Sequence, residues 1–153
     1  TESPNKGASM TETVMVTGGT GYVAGWVIVE LLRRGYAVRT TVRSRAKGET
    51  VRQAVATQVD PGDRLSFAVA DLTRDEGWDE AVAGVDYVLH EGALPSVTKS
   101  IELPRETNEA NVTGTLNMLV AARDAGAALA GIGTLFDFLD RMTRRALDRR
   151  PLV

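Results

Sequence analysis

The stretch of sequence that decides the fold is Val14-Met15-Val16-Thr17-Gly18-Gly19-Thr20-Gly21-Tyr22-Val23-Ala24. Its apolar beginning predicts a strand, and its glycines predict a tight turn that opens a helix. Such a turn leaves backbone N–H groups free beside the positive end of the helix dipole, which favours a bound pyrophosphate. The spacing here is Gly-x-x-Gly-x-x-Ala, which differs from the Gly-x-Gly-x-x-Gly fingerprint of many dinucleotide sites.

The small residues of the turn have separate expected roles. Gly18 supplies the turn, and Gly21 lets the backbone approach an anion. Ala24, with Gly25 beside it, lets the helix lie close on the strand. The residues that we assign to a phosphate-binding turn are Gly18, Gly21, Tyr22, Val23 and Ala24.

The flanking sequence favours this interpretation over a plain loop between two strands. Apolar residues recur at helical spacing from Val23 to Leu32, and two arginines and Gly35 suit the C-terminus of a helix. A β-rich run, Ala37–Val42, follows at once. Strand, glycine turn, helix and strand within about 30 residues form a βαβ unit.

The rest of the chain continues the alternation of helices and strands. Further strands are predicted at 65–69 and 86–90, with a weak fifth at 127–132. Further helices are predicted at 49–59, from a capping box at 73–76 through Val82, at 105–125 and, with a basic end, at 133–150. We therefore expect a Rossmann-like three-layer α/β sandwich with a parallel sheet in the order 3-2-1-4, and strand 5 beside strand 4 if it forms.

Composition narrows the class of protein. The chain has 153 residues, 43% of them hydrophobic, and a net charge of −2, as in one soluble domain that is not a general nucleic-acid binder. No cysteine is present, which excludes disulfides and thiol nucleophiles and suits the cytoplasm. No apolar run is long enough for a membrane span. Because Met10 looks like a translation start, we expect residues 1–9 to be a tag or disordered leader and residues 10–153 a single domain.

The end of the second predicted strand indicates which nicotinamide cofactor would bind. A carboxylate there would hold the ribose 2′-hydroxyl of NAD, whereas cations would accept the 2′-phosphate of NADP. Arg43 follows the strand directly, Arg45 and Lys47 come next, and the first acidic residue is Glu49. We therefore expect NADP rather than NAD, held by Arg43 with support from Arg45 or Lys47. The alternative is a solvated basic loop.

Two later strand ends supply further candidates. Asp71-Leu72 follows the third strand, where Asp71 would accept from the adenine amine or only organise the turn. The fourth strand ends in His90-Glu91-Gly92-Ala93, and Gly92 would give the cofactor close access to the backbone, with Ala93 beside it. His90 is the only histidine, and we expect a packed, hydrogen-bonded residue rather than a catalyst. No metal site is predicted.

With these residues in place, the chain resembles the extended short-chain dehydrogenase/reductase superfamily over about Thr13 to Gly126. From Val14 to Leu89 it is similar to the dihydroflavonol-reductase-like aldehyde and ketone reductases, in residues 16–22, 38–43 and 70–72. From Ala93 to Asn117 it looks more like the nucleotide-sugar 4-epimerases of the same superfamily. That resemblance implies that Asn111 lies near the cofactor and Ser96 near the substrate.

The resemblance also implies a catalytic tyrosine four residues before a lysine, and this sequence has no such pair. The residues four positions after Tyr22, Tyr36 and Tyr87 are Trp26, Thr40 and Glu91. Without that pair, hydride transfer lacks its proton donor, so we assign no catalytic residue. The chain would be a fragment of a longer enzyme, a recombined or designed domain, or a natural protein that has lost catalysis.

Three functions remain open at this point. The first is an NADP-dependent aldehyde or ketone reductase, represented by its cofactor-binding domain without the family's substrate region. The second is a non-catalytic dinucleotide-binding or interaction module, with a possible homodimer formed by helix packing. The third is an NAD-dependent nucleotide-sugar 4-epimerase.

Overall fold

A computed structural model describes residues 11–94 and 96–132 of the chain. The predicted leader at 1–9 and the predicted basic helix at 133–150 lie outside these residues. The described part of the chain is an α/β sandwich with five parallel strands. The strands are β1 Thr13–Val16, β2 Ala37–Val42, β3 Leu65–Val69, β4 Tyr87–His90 and β5 Ala128–Ile132.

The strand order is β3-β2-β1-β4-β5, which confirms the predicted topology. The weakly predicted fifth strand forms and pairs with β4, with an irregularity in the register between Val88 and Leu89. The order reverses between β1 and β4, because β2 and β3 lie on one side of β1 and β4 and β5 on the other. In open α/β sheets, ligands bind at such a switch point, beyond the carboxyl ends of the strands.

Helices cover both faces of the sheet. They are α1 Tyr22–Arg33, α2 Arg45–Ala56, α3 Trp78–Val82, α4 Val97–Glu102, α5 Pro104–Asn108 and α6 Gly114–Asp124. A 3₁₀ turn at Gly62–Arg64 precedes β3, and a π-helical segment at Glu109–Thr113 joins α5 to α6. None of the helices in residues 11–94 and 96–132 is long and apolar enough to cross a membrane.

The core is divided into two layers by the alternation of side chains along the strands. Val14 and Val16 of β1 pack with buried residues of α1 and α2 on one face of the sheet. Met15, between them, packs with α3 and α6 on the other face. Successive residues of a strand point to opposite faces, so each central strand contributes to both layers and is buried on both sides.

Two predicted helix starts were wrong, and a third helix was predicted to within one residue at each end. Helix α2 begins at Arg45, four residues before the predicted start, so Arg45 and Lys47 lie in its first turn. Helix α3 has no capping box, since Gly77 precedes it with φ +88° and the Thr73 side chain donates to Asp71 instead. The predicted helix at 105–125 begins at Pro104 and contains the π-helical segment.

Arg39 is a long-range helix cap that the sequence pattern did not indicate. Its guanidinium Nη1 donates to the carbonyls of Ala83 at 2.6 Å and Ala81 at 3.1 Å, at the end of α3. We expect Arg39→Met to lower the free energy of unfolding by about 1 to 2 kcal/mol, because these carbonyls lose a charged donor. Urea denaturation measures the change. Arg33→Met, which removes one 3.3 Å bond to Gln58, is the control, and equal losses would contradict the prediction.

Candidate functional site

The glycine turn and the loop after β4 meet at the switch point of the sheet. Gly18 has φ +71°, a left-handed conformation that favours glycine. A Cβ atom at residue 18 would lie 2.8 Å from Cα of Gly92, and that distance leaves no room for a side chain. Gly92 is buried in this contact, and its N–H donates to the hydroxyl of Thr17 at 2.8 Å. Gly92 therefore lets two backbone segments approach each other; the access it was expected to give a cofactor stays a prediction.

The turn is also bonded to the end of β2. The N–H of Gly18 donates to Oγ1 of Thr41 at 3.1 Å, and the N–H of Gly19 donates to the Thr41 carbonyl at 3.0 Å. A Cβ at Gly19 would collide with the Thr40 side chain. Gly19, which the sequence analysis did not assign, is thus required by packing, and Gly21 completes the turn with an N–H bond of 2.8 Å to the Gly18 carbonyl.

The glycine turn leads directly into α1, whose N-terminus has no side-chain cap. Gly21 precedes α1, no side chain caps the helix, and its first turn contains no acidic residue. Tyr22 is 83% exposed and Val23 is exposed, whereas Ala24 is buried against the sheet as predicted. Gly25 has no neighbour around its would-be Cβ, so Ala24 alone permits the close helix packing. The free N–H groups of this first turn are available to an anion.

A second uncapped N-terminus lies next to the first. Ser44 precedes α2 without a side-chain cap, and the first turn of α2 contains no acidic residue. Arg45 and Lys47 stand in that turn, where cations oppose the helix dipole unless an anion is present. Lys47 and the glycine turn line opposite sides of a groove of about 480 Å³ between α1 and α2. Within the described ranges, Arg43, Arg45 and Lys47 form no ion pair with a carboxylate.

Asp71 organises the turn after β3. Its Oδ1 accepts from the N–H and the hydroxyl of Thr73, both at 2.9 Å. These bonds, the backbone one foremost, hold the pKa of Asp71 below its usual range, and the positive charges of Arg43 and Arg74 act in the same direction. The structure therefore shows the turn-forming role, and it places Arg43 close enough to Asp71 to act on its pKa.

Asn111 fixes the loop that follows β4. Its side-chain Oδ1 accepts from the N–H of Leu94 at 2.8 Å, and its Nδ2 donates to the Leu94 carbonyl at 3.3 Å. Ala93, between Gly92 and Leu94, is exposed. Asn111 lies in the π-helical segment, a feature often found at functional sites because it re-aims side chains within a helix.

Leu72 connects the loop after β3 to this arrangement. Its side chain lies beside the would-be Cβ of Gly92, and its carbonyl packs directly against Gly114 at the start of α6. Ser96, assigned to the substrate side by the resemblance, accepts from the N–H of Lys99 and so caps α4. The loops after β1, β3 and β4 therefore converge. Arg43, directly after β2, lies near Asp71 in the loop after β3.

His90 and Glu91 end β4 in a polar but uncharged environment. His90 is 3% exposed, and its two ring nitrogens lie 2.7 Å from Oγ1 of Thr17 and 3.0 Å from Oγ1 of Thr115. It is thus packed and hydrogen-bonded at both nitrogens. Burial raises the pKa of Glu91, whose Oε1 is buried without a hydrogen-bond partner in the part of the chain that the structure describes.

An orphaned carboxyl oxygen and two uncapped helix N-termini are the features expected where a polar ligand completes the hydrogen bonding. A dinucleotide fits these features, because its phosphates match the N–H groups and cations and its hydroxyl groups match the carboxyl group of Glu91. Thr17, Gly19, Glu91 and Thr115 were not among the predicted site residues. Glu91 carried a signal as a carboxylate directly after a buried strand, and Gly19 as a member of the glycine turn. In residues 11–94 and 96–132 no cluster of His, Cys, Asp and Glu could hold a metal ion.

A doubly wound sheet with a glycine turn and an uncapped helix at its switch point defines a nucleotide-binding α/β protein of the dehydrogenase type. Residues 14–135 match the model of the NAD dependent epimerase/dehydratase family. The chain belongs to this family.

Several curated relatives are reductases by name. The chain is 37% identical over 115 residues to dihydroflavonol 4-reductase of Hordeum vulgare, covering 74% of this chain and 31% of that protein. It is 36% identical over 118 residues to tetraketide alpha-pyrone reductase 2 of Arabidopsis thaliana, covering 77% and 36%. The chain thus spans about a third of the length of these relatives.

A solved structure with the same fold is an epimerase. UDP-glucose-4-epimerase from Stenotrophomonas maltophila, with bound NAD and formylated UDP-arabinopyranose, superposes with a TM-score of 0.62 at 28% identity. The match covers 76% of this chain and 34% of that one. The chain is therefore similar both to known reductases and to a known epimerase, as its sequence indicated.

Proposed function

We propose that this chain is the NADP-binding part of an extended short-chain dehydrogenase/reductase that reduces an aldehyde or ketone. The observation that carries the proposal is the pair of uncapped helix N-termini, at Gly21 and Ser44, with three cations and no acidic residue around the second. Reductase relatives at 36–37% identity support the reaction class. The bound cofactor would supply the hydride.

The residues divide into groups that would hold different parts of the cofactor. The N–H groups of the first turn of α1 would bind the pyrophosphate. Arg43 would bind the 2′-phosphate from the Asp71 side, while Arg45 and Lys47 would bind it from the first turn of α2. The loop from Glu91 to Leu94, clamped by Asn111, would flank the remainder of the molecule. Glu91 would accept a hydrogen bond from a hydroxyl of the ligand.

The charge distribution favours NADP over NAD. Cations in the first turn of a helix destabilise it, typically by a few tenths of a kcal/mol each, and a phosphate reverses the sign of that interaction. Both Arg45 and Lys47 stand in such a position. An NAD site would instead need a carboxylate at the end of β2 for the ribose hydroxyls, and residues 43–48 contain none.

Replacing Arg43 tests the assignment. We expect Arg43→Ala to weaken NADPH binding by about 5- to 150-fold, equivalent to about 1 to 3 kcal/mol, because a charge-assisted bond to the 2′-phosphate is lost. NADH binding, measured in the same titration, should barely change. Arg123→Ala is the matched control, since that cation pairs with Asp124 at the far end of α6. Equal losses for NADPH and NADH would contradict the assignment, and no binding of either would end the proposal.

A second candidate is a dinucleotide-binding module without catalysis. In the sequence of this chain, no tyrosine is followed by a lysine four residues later. An aldehyde-reduction assay on this chain, with NADPH consumption as the readout, tests the module. Turnover would exclude it, whereas NADPH binding without turnover is expected of both candidates, since this sequence contains no tyrosine–lysine pair in either case. An epimerase, the third candidate, would retain NAD rather than prefer NADP.

A further inference from the structure

The hydroxyl of Thr17 determines the proton position on His90. Thr17 Oγ1 accepts from the N–H of Glu91 at 3.0 Å and from the N–H of Gly92 at 2.8 Å. A hydroxyl has two acceptor lone pairs and one donor hydrogen. Both lone pairs are used, so the hydrogen points to the remaining neighbour, Nδ1 of His90 at 2.7 Å. Nδ1 is therefore an acceptor, and the neutral ring carries its proton on Nε2.

The other side of the ring agrees with this assignment. Nε2 lies 3.0 Å from Oγ1 of Thr115, and the Thr115 hydroxyl donates to the carbonyl of Asn111 at 2.7 Å. With its hydrogen used there, Thr115 can only accept from the Nε2–H of His90. The hydrogen bonds thus run in one direction from Thr17 through His90 and Thr115 to Asn111, which in turn clamps Leu94.

Protonation of the ring would break this chain of hydrogen bonds. An imidazolium has a hydrogen on Nδ1, and that hydrogen would face an oxygen whose lone pairs already accept two N–H groups. Thr17 would have to release the N–H of Glu91 or Gly92, which would free the loop after β4. The neutral tautomer is therefore the one that keeps this loop against Gly18.

No charge in the described residues compensates a proton on His90. The residues joined to the ring by this chain of hydrogen bonds are uncharged. They are Thr17 directly after β1, Thr115 of α6 and Asn111 of the π-helical segment. On the loop side, the nearest titratable group is Glu91. Burial raises the pKa of Glu91 and lowers the pKa of His90, and no neighbouring charge contributes to either shift. Across the sheet, His90 pairs in register with Ile132 of β5.

We propose that His90, as a neutral imidazole protonated on Nε2, is a positioning residue that holds the loop 91–94 against the glycine turn, so that cofactor binding requires this tautomer. The inference rests on the proposed dinucleotide site. It does not make His90 catalytic. The direct consequence is that a dinucleotide binds more weakly when the ring is protonated.

The tautomer can be measured in the chain as it is. Because His90 is the only histidine, a ¹⁵N-labelled sample without an added histidine tag gives a single set of imidazole resonances. We expect an acceptor Nδ1 and a protonated Nε2 above pH 7. A proton on Nδ1, or a ring that titrates freely near its ordinary value of 6.5, would overturn the inference. This measurement does not require any variant to fold.

The pH dependence of binding tests the functional part. Burial lowers the pKa of His90 in the folded protein. The neutral ring therefore contributes to stability above about pH 6.5, and this contribution is lost as the pH falls through the lowered pKa. We expect the dissociation constant of NAD⁺ to rise progressively as the pH falls below about 6.5 and through the lowered pKa of the ring. NAD⁺ is used beside NADP⁺ because the 2′-phosphate itself titrates near pH 6.

Two variants isolate the effect of the ring. In His90→Asn the amide oxygen can still accept from Thr17, so we expect binding within about threefold of the parent at pH 7.5, with the pH dependence removed. His90→Leu should bind at least about tenfold more weakly at every pH. Equal pH profiles for the parent and His90→Asn would overturn the inference while leaving the proposed function intact. No dinucleotide binding at any pH would overturn the proposed function itself.

Discussion

Replacing Gly18 by alanine is expected to lower the free energy of unfolding by about 2 to 5 kcal/mol and to abolish dinucleotide binding. Two costs add. The left-handed backbone at φ +71° is strained for any residue with a Cβ, and that Cβ would lie 2.8 Å from Cα of Gly92. Because the obstacle is backbone, no side-chain rotation relieves it. The loops after β1 and β4 must separate, and the glycine turn proposed to bind the pyrophosphate moves with them.

Gly25→Ala is the matched control for Gly18→Ala. Gly25 lies seven residues further along, inside α1, and its would-be Cβ has no neighbour within 4 Å. Alanine is favoured over glycine inside a helix, so this change should stabilise the protein by about 0.5 to 1 kcal/mol. Urea denaturation and NADPH titration measure both variants. A Gly18→Ala protein as stable as the parent would contradict the close contact between residues 18 and 92.

Thr17→Val is expected to lower the free energy of unfolding by about 2 to 5 kcal/mol. Valine has nearly the same shape, so packing is preserved, but three groups lose their partner: two N–H groups of the loop after β4 and Nδ1 of His90. Each buried polar group left unpaired costs about 1 to 3 kcal/mol. Residue 17 is fully buried, although water entering the loosened loop would offset part of this cost.

Thr17→Ser separates the hydroxyl from the methyl group. Serine keeps all three hydrogen bonds and loses one buried methyl, which costs about 1 kcal/mol. We expect this variant to bind NADPH as the parent does, whereas Thr17→Val should bind at least tenfold more weakly because the loop 91–94 is released. Thermal unfolding and NADPH fluorescence provide the two readouts. If Thr17→Val binds as tightly as Thr17→Ser, the hydroxyl does not hold the loop.

Much of the fold was readable from the sequence because its signals are local. The run Val14–Val16 is apolar because β1 is central and buried on both faces, and the helical pattern after the glycines favours a turn into a helix over a plain loop. The parallel order of the strands then follows from the right-handed connections. The fifth strand was weakly predicted since alanine and glycine have low strand propensity, and pairing with β4 decided it.

The starts of the helices were harder to predict, because a side chain that could cap a helix can bond to another nearby group instead. Thr73 to Glu76 has the spacing of a capping box, but the Thr73 hydroxyl and N–H both bond to Asp71, and Gly77 opens the helix instead. Likewise, the basic run after Val42 suggested a loop, whereas Arg45 and Lys47 are the first turn of α2. A local sequence pattern cannot indicate which of two nearby partners a hydroxyl will choose.

The sequence by itself determined the class of fold, the glycine turn after β1 and the positive charge after β2, because each depends on residues within one βαβ unit. Only the tertiary structure decided what meets that turn. The contact of Gly18 with Gly92, the hydroxyl of Thr17 on the loop after β4, and the bonds of His90 to Thr17 and Thr115 join residues at least 25 positions apart. No local pattern encodes such pairs, since they form only where the strand order reverses and brings the ends of β1 and β4 together.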